Sequence, residues 1–226
     1  MEVYRSSHTA EELEQALSGT GGAEAALKSL LEWTIEDLYC ETATKIKSYR
    51  TFMGNSTLKK VNLPNVTEII SQYIFSGCSS LVEVNLPKLE TMDMCVFEHC
   101  TSLTELTFPR FYAFSNNFNF RGCTNLKKID FQRKDNPIGQ YSSNLNQHEF
   151  NGCSSLEVII IRAEDKVWKI ANLNNFTGTP FESGGAGGTV YVPQALIGQY
   201  QQATNWSALY AAGTCNFVAI EGSEYE

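Results

Sequence analysis

The sequence has no uninterrupted apolar run of about 18 residues, the length a membrane-spanning helix needs, so no membrane insertion is expected. Its opening, MEVYRSSHTAEELEQALSG, lacks the charged-then-apolar order of a secretory leader. Cations are scarce, with 17 Lys and Arg against 25 Asp and Glu, a net charge of −8 and a pI near 5.0. Nucleic acid and anionic membranes are therefore poor partners, because binding phosphates takes a basic patch and Lys59-Lys60 and Lys127-Lys128 are too sparse to make one. Cysteine occurs seven times, an odd number, and never as C-x-x-C, which suggests neither a disulfide framework nor a zinc site. Histidine is limited to His8, His99 and His148, and H-E-x-x-H, G-x-S-x-G and G-x-x-x-x-G-K-[ST] are all missing. The GGAGG at 184–188 has no Lys after it and so is no phosphate loop. The expectation is a non-enzymatic protein without metal or cofactor.

What the sequence does have is a repeat. Units begin at Phe52 (FMGNSTLKKVNLP), Phe75 (FSGCSSLVEVNLP), Phe97 (FEHCTSLTELTFP), Phe120 (FRGCTNLKKIDF) and Phe150 (FNGCSSLEVIII). The spacings from Phe52 onward, ending at Phe181, are 23, 22, 23, 30 and 31. Within each unit the order is Phe, then Cys or Asn three residues on, Leu three further, and alternating apolar residues after that. The alternation predicts a half-buried strand, and one unit alone cannot bury its apolar face. Stacking the units buries it as one continuous core, so the sequence predicts a solenoid with a parallel sheet. Counting back from Phe52 places Ile35, Leu38 and Cys40 on a first strand. Counting on from Phe181 places Val190 and Val192 on a last one, with Gly184 and Gly187 where the ladder residue and Leu would stand. About seven strands follow from this count.

The combination F-x-x-C-x-x-L-x-x-[VIL]-x-[LF]-P resembles the BspA-like, or treponemal-type, class of bacterial leucine-rich repeats over roughly residues 35–193. The resemblance implies a leucine-rich repeat solenoid of the α/β class, β-rich, with a curved parallel sheet and helical caps at both ends. It also implies a surface-associated or secreted protein acting in adhesion or recognition. Pro64, Pro87 and Pro109 follow the strand in three units, whereas Gln132 and Arg162 replace it in the next two, which carry extra residues.

Several residues are candidates for binding, each with a plain structural reading beside it. Cys78, Cys100, Cys123 and Cys153, with Asn55, form one row that suits a buried ladder against the turn backbone. The Phe row reads as a core spine, and Phe111, Tyr112, Phe114 and Phe118 as further core filling. Outward positions form the row Tyr39, Asn62, Asn85, Thr107, Asp130, Ile160 and Tyr191, the surface where solenoids bind. The adjacent rows mix Glu36, Lys59, Glu83, Glu105, Lys127 and Lys128, which can pair across strands and leave a merely solvated face. Two inserted segments, 132–149 with Tyr141 and 162–180 with Trp168, add candidate loops. The expected contact set is thus Tyr39, Asn62, Asn85, Thr107, Asp130, Tyr191, Trp168 and Tyr141.

At the ends, residues 1–33 read as a helical cap, 34–193 as the solenoid and 194–226 as a helical cap with an acidic tail. HTAEELEQAL and AEAALKSLLEW are two helical patterns, with Thr9 and Glu12 forming a capping box and Leu27, Leu30 and Leu31 positioned to cover the first strand. After Pro193 a helix is predicted to about Tyr210, covering the last strand with Leu196, Tyr200, Trp206 and Leu209. A short strand NFVAI and a disordered EGSEYE tail complete the expectation. The functional reading is a recognition or adhesion module for a protein or glycan ligand at the cell surface or outside the cell. The alternatives are a phage tail-associated structural protein, placed in the particle or the cytoplasm, and, third, a hydrolase.

Overall fold

The computed structural model describes residues 15–18, 35–134, 144–145 and 148–226. Each repeat contributes two short strands. In chain order these are β1 (Asp37–Tyr39) and β2 (Lys45–Ile46), β3 (Lys60–Asn62) and β4 (Glu68–Ile69), and β5 (Glu83–Asn85) and β6 (Thr91–Met92). They continue with β7 (Glu105–Phe108) and β8 (Ala113–Phe114), β9 (Lys128–Phe131) and β10 (Asn144–Leu145), and β11 (Val158–Ile161) and β12 (Lys169–Ile170). β13 (Gly188–Val192), two helices, α1 (Ile197–Gln202) and α2 (Trp206–Ala211), and β14 (Cys215–Ala219) finish the chain.

The first strands of the repeats pair in parallel as β1-β3-β5 and as β7-β9-β11-β13-β14. The ladder thus has eight strands among the described residues, one more than the repeat count predicts, and it is interrupted between β5 and β7. The second strands form a separate parallel layer, β2-β4-β6-β8 with β10-β12 beyond it, which the L-x-x-V-x-L pattern did not announce. Between the layers lies the core. The repeat leucines Leu58, Leu81, Leu103, Leu126 and Leu156 are all fully buried.

Two rows run the length of this core and explain the motif. The Phe52, Phe75, Phe97, Phe120 and Phe150 rings stack at centroid distances of 5.6, 5.5, 6.1 and 5.7 Å. The next ring in the column is Phe176, stacked on Phe150 at 6.0 Å, and not Phe181, which tilts against Phe176. Backbone bonding agrees, because Gly152 donates to Thr177 O as Gly122 does to Asn151 O one repeat earlier. The sixth unit therefore starts at Phe176, Thr179 holds the ladder position, and the stretch between Thr179 and β13 carries an insertion of five residues, since Thr189 pairs with Val158 but lies that much further from its phenylalanine. Gly184 and Gly187 lie in that stretch, and Gly184 does not replace Cys.

The cysteine row is a hydrogen-bond ladder. The Sγ atoms of Cys78, Cys100, Cys123 and Cys153 donate to the carbonyls of Phe52, Phe75, Phe97 and Phe120 at 3.1, 3.1, 3.1 and 3.0 Å. A thiol is small enough for the tight turn and satisfies a carbonyl that the turn leaves without a strand partner. Asn55 occupies this position at the first unit and braces its own turn, its Oδ1 accepting from the Thr57 and Leu58 amides. Beside this row each turn passes through left-handed backbone. Gly supplies it at five units, and His99 stands in at φ 57 with its ring lying where a side chain on Gly122 would collide.

At the N-terminal end the helical turn at 15–18 buries Leu17, whose carbonyl accepts from Lys47 and Ser48 just after β2. Thr9, Glu12, Leu27, Leu30 and Leu31 lie outside the described residues. At the other end the single predicted helix is a 3-10 turn followed by α1 and α2, broken where Asn205 adopts φ 68 and its Nδ2 donates to Ile170 O. Leu196, Tyr200, Trp206 and Leu209 are buried as the pattern required. β14 covers the parallel ladder beyond β13, and EGSEYE, expected to be disordered, folds back as ordered turns.

Candidate recognition face

Register fixes which side chains share the outward face. Tyr39, Asn62 and Asn85 are aligned on β1, β3 and β5, and Thr107, Asp130, Ile160, Tyr191 and Val218 on β7 through β14. From Tyr39 through Thr107 the row is polar and open: Asn85 Nδ2 donates to Asn62 Oδ1 at 2.9 Å, Asn85 and Thr107 are exposed, and Tyr39 is half-buried. The neighbouring rows pair their charges across strands, Lys59 with Glu36 at 3.0 Å, Lys60 with Glu83 at 2.9 Å and Lys128 with Glu105 at 2.6 Å. Hydrogen bonding to Glu83 holds the Lys60 ammonium above its usual range, and Glu105 does the same for Lys128.

From Asp130 to Tyr191 the same face is covered, while Val218 on β14 is exposed again. Asp130 is only 6% exposed, its Oδ1 and Oδ2 accepting from Arg162 Nε and Nη2 at 3.1 Å each and from Gln132 Nε2 at 3.1 Å. Gln132 and Arg162 are the residues that replace proline in the two irregular units, so the departure from the motif supplies the partners of this carboxylate. Ile160 is fully buried despite its outward register. Tyr191 packs edge-on against Tyr225 at 4.7 Å, and Lys128 Nζ lies 5.6 Å from the Tyr225 ring centre.

Trp168 is not a loop contact. It is 2% exposed and its ring packs 5.0 Å from Phe131, because the inserted segment returns to the core through β12. Its backbone amide donates to Tyr200 Oη and its carbonyl accepts from Trp206 Nε1, which ties the insertion to α1 and α2. Tyr141 lies outside the described residues. Phe118, expected in the core, is half-exposed instead.

Phe118 belongs to a row that the motif did not reveal. Arg50, Tyr73, Cys95, Phe118 and His148 each stand two residues before the spine phenylalanine, and all five have left-handed backbone with φ between 57 and 67. Arg50 lies over Tyr49 and Tyr73 at 4.8 and 5.1 Å, Arg121 over Phe118 at 4.6 Å, and Phe118 stacks on His148 at 5.1 Å. The buried Glu98 carboxylate pairs with Arg121 beside them and accepts from Ser76 Oγ. A second unannounced row is polar and buried. Asn119 Oδ1 accepts from Val96 N, Glu149 Oε2 from Asn119 N, and Asn175 Oδ1 from Glu149 N. Glu149 is fully buried, and burial raises its carboxyl pKa well above the ordinary value, which favours the protonated form.

Burial pushes the thiols of Cys78, Cys95, Cys123 and Cys215 up to about 12, and those of Cys100 and Cys153 well up, so none is a nucleophile at neutral pH. Among the described residues no three His, Cys, Asp or Glu converge on a metal-sized space, and no helix is long and apolar enough to cross a membrane. An open cleft of about 390 Å³ lies among Glu90, Pro109, Arg110, Gln132, Arg133 and Lys134.

The model of the BspA-type leucine-rich repeat region matches residues 44–173 in six copies, more than half of the chain. No curated protein matches the sequence. Among solved structures, the pneumococcal vaccine antigen PcpA superposes with a TM-score of 0.54 at 17% identity, over 82% of this chain and 41% of its own. This chain therefore spans less than half of that antigen, and the likeness is one of fold. The leucine-rich repeat protein TpLRR of T. pallidum matches at TM-score 0.42 and 22% identity over 64% of this chain and 77% of its own. A leucine-rich repeat protein from Bacteroides ovatus matches at TM-score 0.27 and 17% identity over 81% and 68%. With the family match spanning the repeats whose Phe, Cys and Leu rows build the core, the chain belongs to the BspA-type leucine-rich repeat family.

Proposed function

We propose that this chain is a non-enzymatic recognition or adhesion module of a bacterial surface, taking a protein or glycan ligand on the outward sheet face of its first repeats. The observation that carries the reading is the contrast along one register row: Tyr39, Asn62, Asn85 and Thr107 keep solvent access, while Asp130 and Ile160 on the same row are buried. An aromatic ring with amide and hydroxyl groups beside it offers both an apolar platform and hydrogen bonds, the mixture that recognition surfaces use. The ion pairs flanking that row are exposed and individually worth about 0.2–1 kcal/mol, so a ligand can replace one partner at small cost. The surface location rests on family membership, and the description of the pneumococcal structure as a vaccine antigen fits it.

The test is binding of purified protein to arrays of glycans and extracellular-matrix proteins, repeated with a Tyr39→Ala, Asn85→Ala double variant. Specific binding that falls about ten-fold or more in the variant is expected, a change of roughly 1.4 kcal/mol. Absence of binding to either class, or binding untouched by the double variant, sinks the reading.

A further inference from the structure

The second half of the outward face carries its own occupant. We propose that the surface over β9, β11 and β13 is a binding site for acidic, tyrosine-bearing peptide, and that residues 221–226 of this chain fill it. Tyr225 touches Tyr191 on β13 at 4.7 Å and lies 5.6 Å from Lys128 Nζ on β9. β11 lies between those two strands, so the ring sits over it, and Ile160, which points outward by register, is fully buried there. Beneath the segment is therefore a small apolar floor with a tyrosine at one side and an ammonium at the other. A phenol ring on a cation and an edge-on aromatic is a specific contact.

The segment EGSEYE has three carboxylates in six residues. Beside it a cleft of about 150 Å³ is lined by Glu221 and Glu226 from the segment, by Pro193 and Ile220, and by Lys134, Arg162 and Glu164 from the sheet side, where Lys134 pairs with Glu164 at 3.0 Å and Arg162 with Asp130. Its hydrogen bonds are largely its own. Gly222 donates to Glu226 Oε2, Tyr225 to Ser223 Oγ, and Ser223 to Ile220 O, while Glu221 Oε2 accepts from the Gln194 amide. Lifting residues 222–226 thus breaks the ring contacts and the two Ser223 bonds to Ile220 O, and leaves the Glu221 bond to the Gln194 amide and the β13–β14 pairing in place. A segment bound in this way behaves as a tethered ligand, present at an effective concentration on the order of millimolar. Any competing peptide has to displace it. The site is separate from the open row at Tyr39 to Thr107, so the proposal stands or falls independently of the ligand sought there.

The experiment uses nuclear magnetic resonance on two chains, the full one and one stopped after Gly222, each titrated with the peptide Gly-Ser-Glu-Tyr-Glu. The expected result is peptide-dependent shifts of Lys128, Ile160 and Tyr191 in the shortened chain, with binding weaker by about ten-fold or more in the full chain. A peptide with Asp for Glu binds the shortened chain within several-fold, and peptides with Ala for Tyr or Lys for Glu do not. Tyr191→Ala in the shortened chain abolishes the shifts without changing its folded spectrum elsewhere. Three outcomes overturn the proposal: no shifts in the shortened chain, equal binding by both chains, or binding only by the chain's own sequence, which would reduce the segment to a piece of the fold.

Discussion

Between β5 and β7 one repeat pattern changes its surface. In the first three repeats the ladder strands are three residues long and their outward side chains face solvent, held together by exposed ion pairs and an asparagine bond. From β7 onward the strands lengthen to four and five residues, and past the exposed Thr107 the outward positions on β9, β11 and β13 carry the covered Asp130 and Ile160 and the stacked Tyr191. The core is alike in both halves, because the Phe stack and the Cys ladder cross the break unchanged. What differs is what lies over the sheet, so register decides the direction of a side chain and long-range packing decides its exposure.

The largest expected contrast sets Trp168 against Tyr39. Both were candidate contacts in the sequence. Trp168→Ala removes a buried ring from beside Phe131 and is expected to cost about 3–5 kcal/mol. Tyr39→Ala trims a half-buried side chain on an outward position and is expected to cost about 1 kcal/mol or less. Urea titration of both variants checks this, and equal losses would mean that the two halves do not differ as described.

Next is the ion pair that covers the second half. Arg162→Ala leaves the Asp130 carboxylate buried with Gln132 as its remaining hydrogen-bond donor, and truncating one partner of such a pair costs about 3–5 kcal/mol. Thermal unfolding of Arg162→Ala and of the Arg162→Ala, Asp130→Ala double variant separates the stranded charge from the lost contact. The double variant is expected to recover part of the stability. A double variant as weak as the single one would place the effect in packing of the arginine stem.

Which parts of this were legible depends on distance along the chain. The Phe, Cys and Leu frame repeats at fixed local spacing, so the core rows and the strand direction could be read directly. The misplacement of the sixth unit at Phe181 came from an insertion of five residues after Thr179 that broke the spacing. Trp168 looked like a loop residue because its partners, Phe131, Tyr200 and Trp206, are about thirty residues or more away in sequence. The row of left-handed residues from Arg50 to His148 was silent because none of them is glycine or asparagine, the usual markers of that backbone. The coverage of Tyr191 by Tyr225 depends on a tail whose composition alone reads as disordered.

Glu149 gives a smaller effect that belongs to the core shared by both halves. Above about pH 4.3 the unfolded chain releases a carboxyl proton that the folded chain keeps. Folding therefore takes up a proton, and the stability this group allows, complete below that pH, is lost as pH rises toward its raised folded pKa. Glu149→Gln keeps an oxygen for the Asn119 amide and removes the ionisation, so it is expected to stabilise the protein at pH 8 by on the order of 1–2 kcal/mol and to change little at pH 4. Unfolding measured at both pH values decides it, and a variant equally destabilised at both would show that the acid proton itself makes a needed bond.

The smallest effect tests the open half on its own terms. Lys59→Glu places a carboxylate opposite Glu36, where the ammonium now sits 3.0 Å away, and both side chains are about half exposed. The expected loss is about 0.2–1 kcal/mol, and it should shrink at high salt because the screening length falls from about 10 Å at 0.1 M to about 3 Å at 1 M. A loss that persists at high salt would mean that the lysine stem packs on the sheet, making this face more like the covered half. If stability barely moves while array binding drops by about ten-fold, the charge pair serves recognition more than folding, as the open face of the first repeats requires.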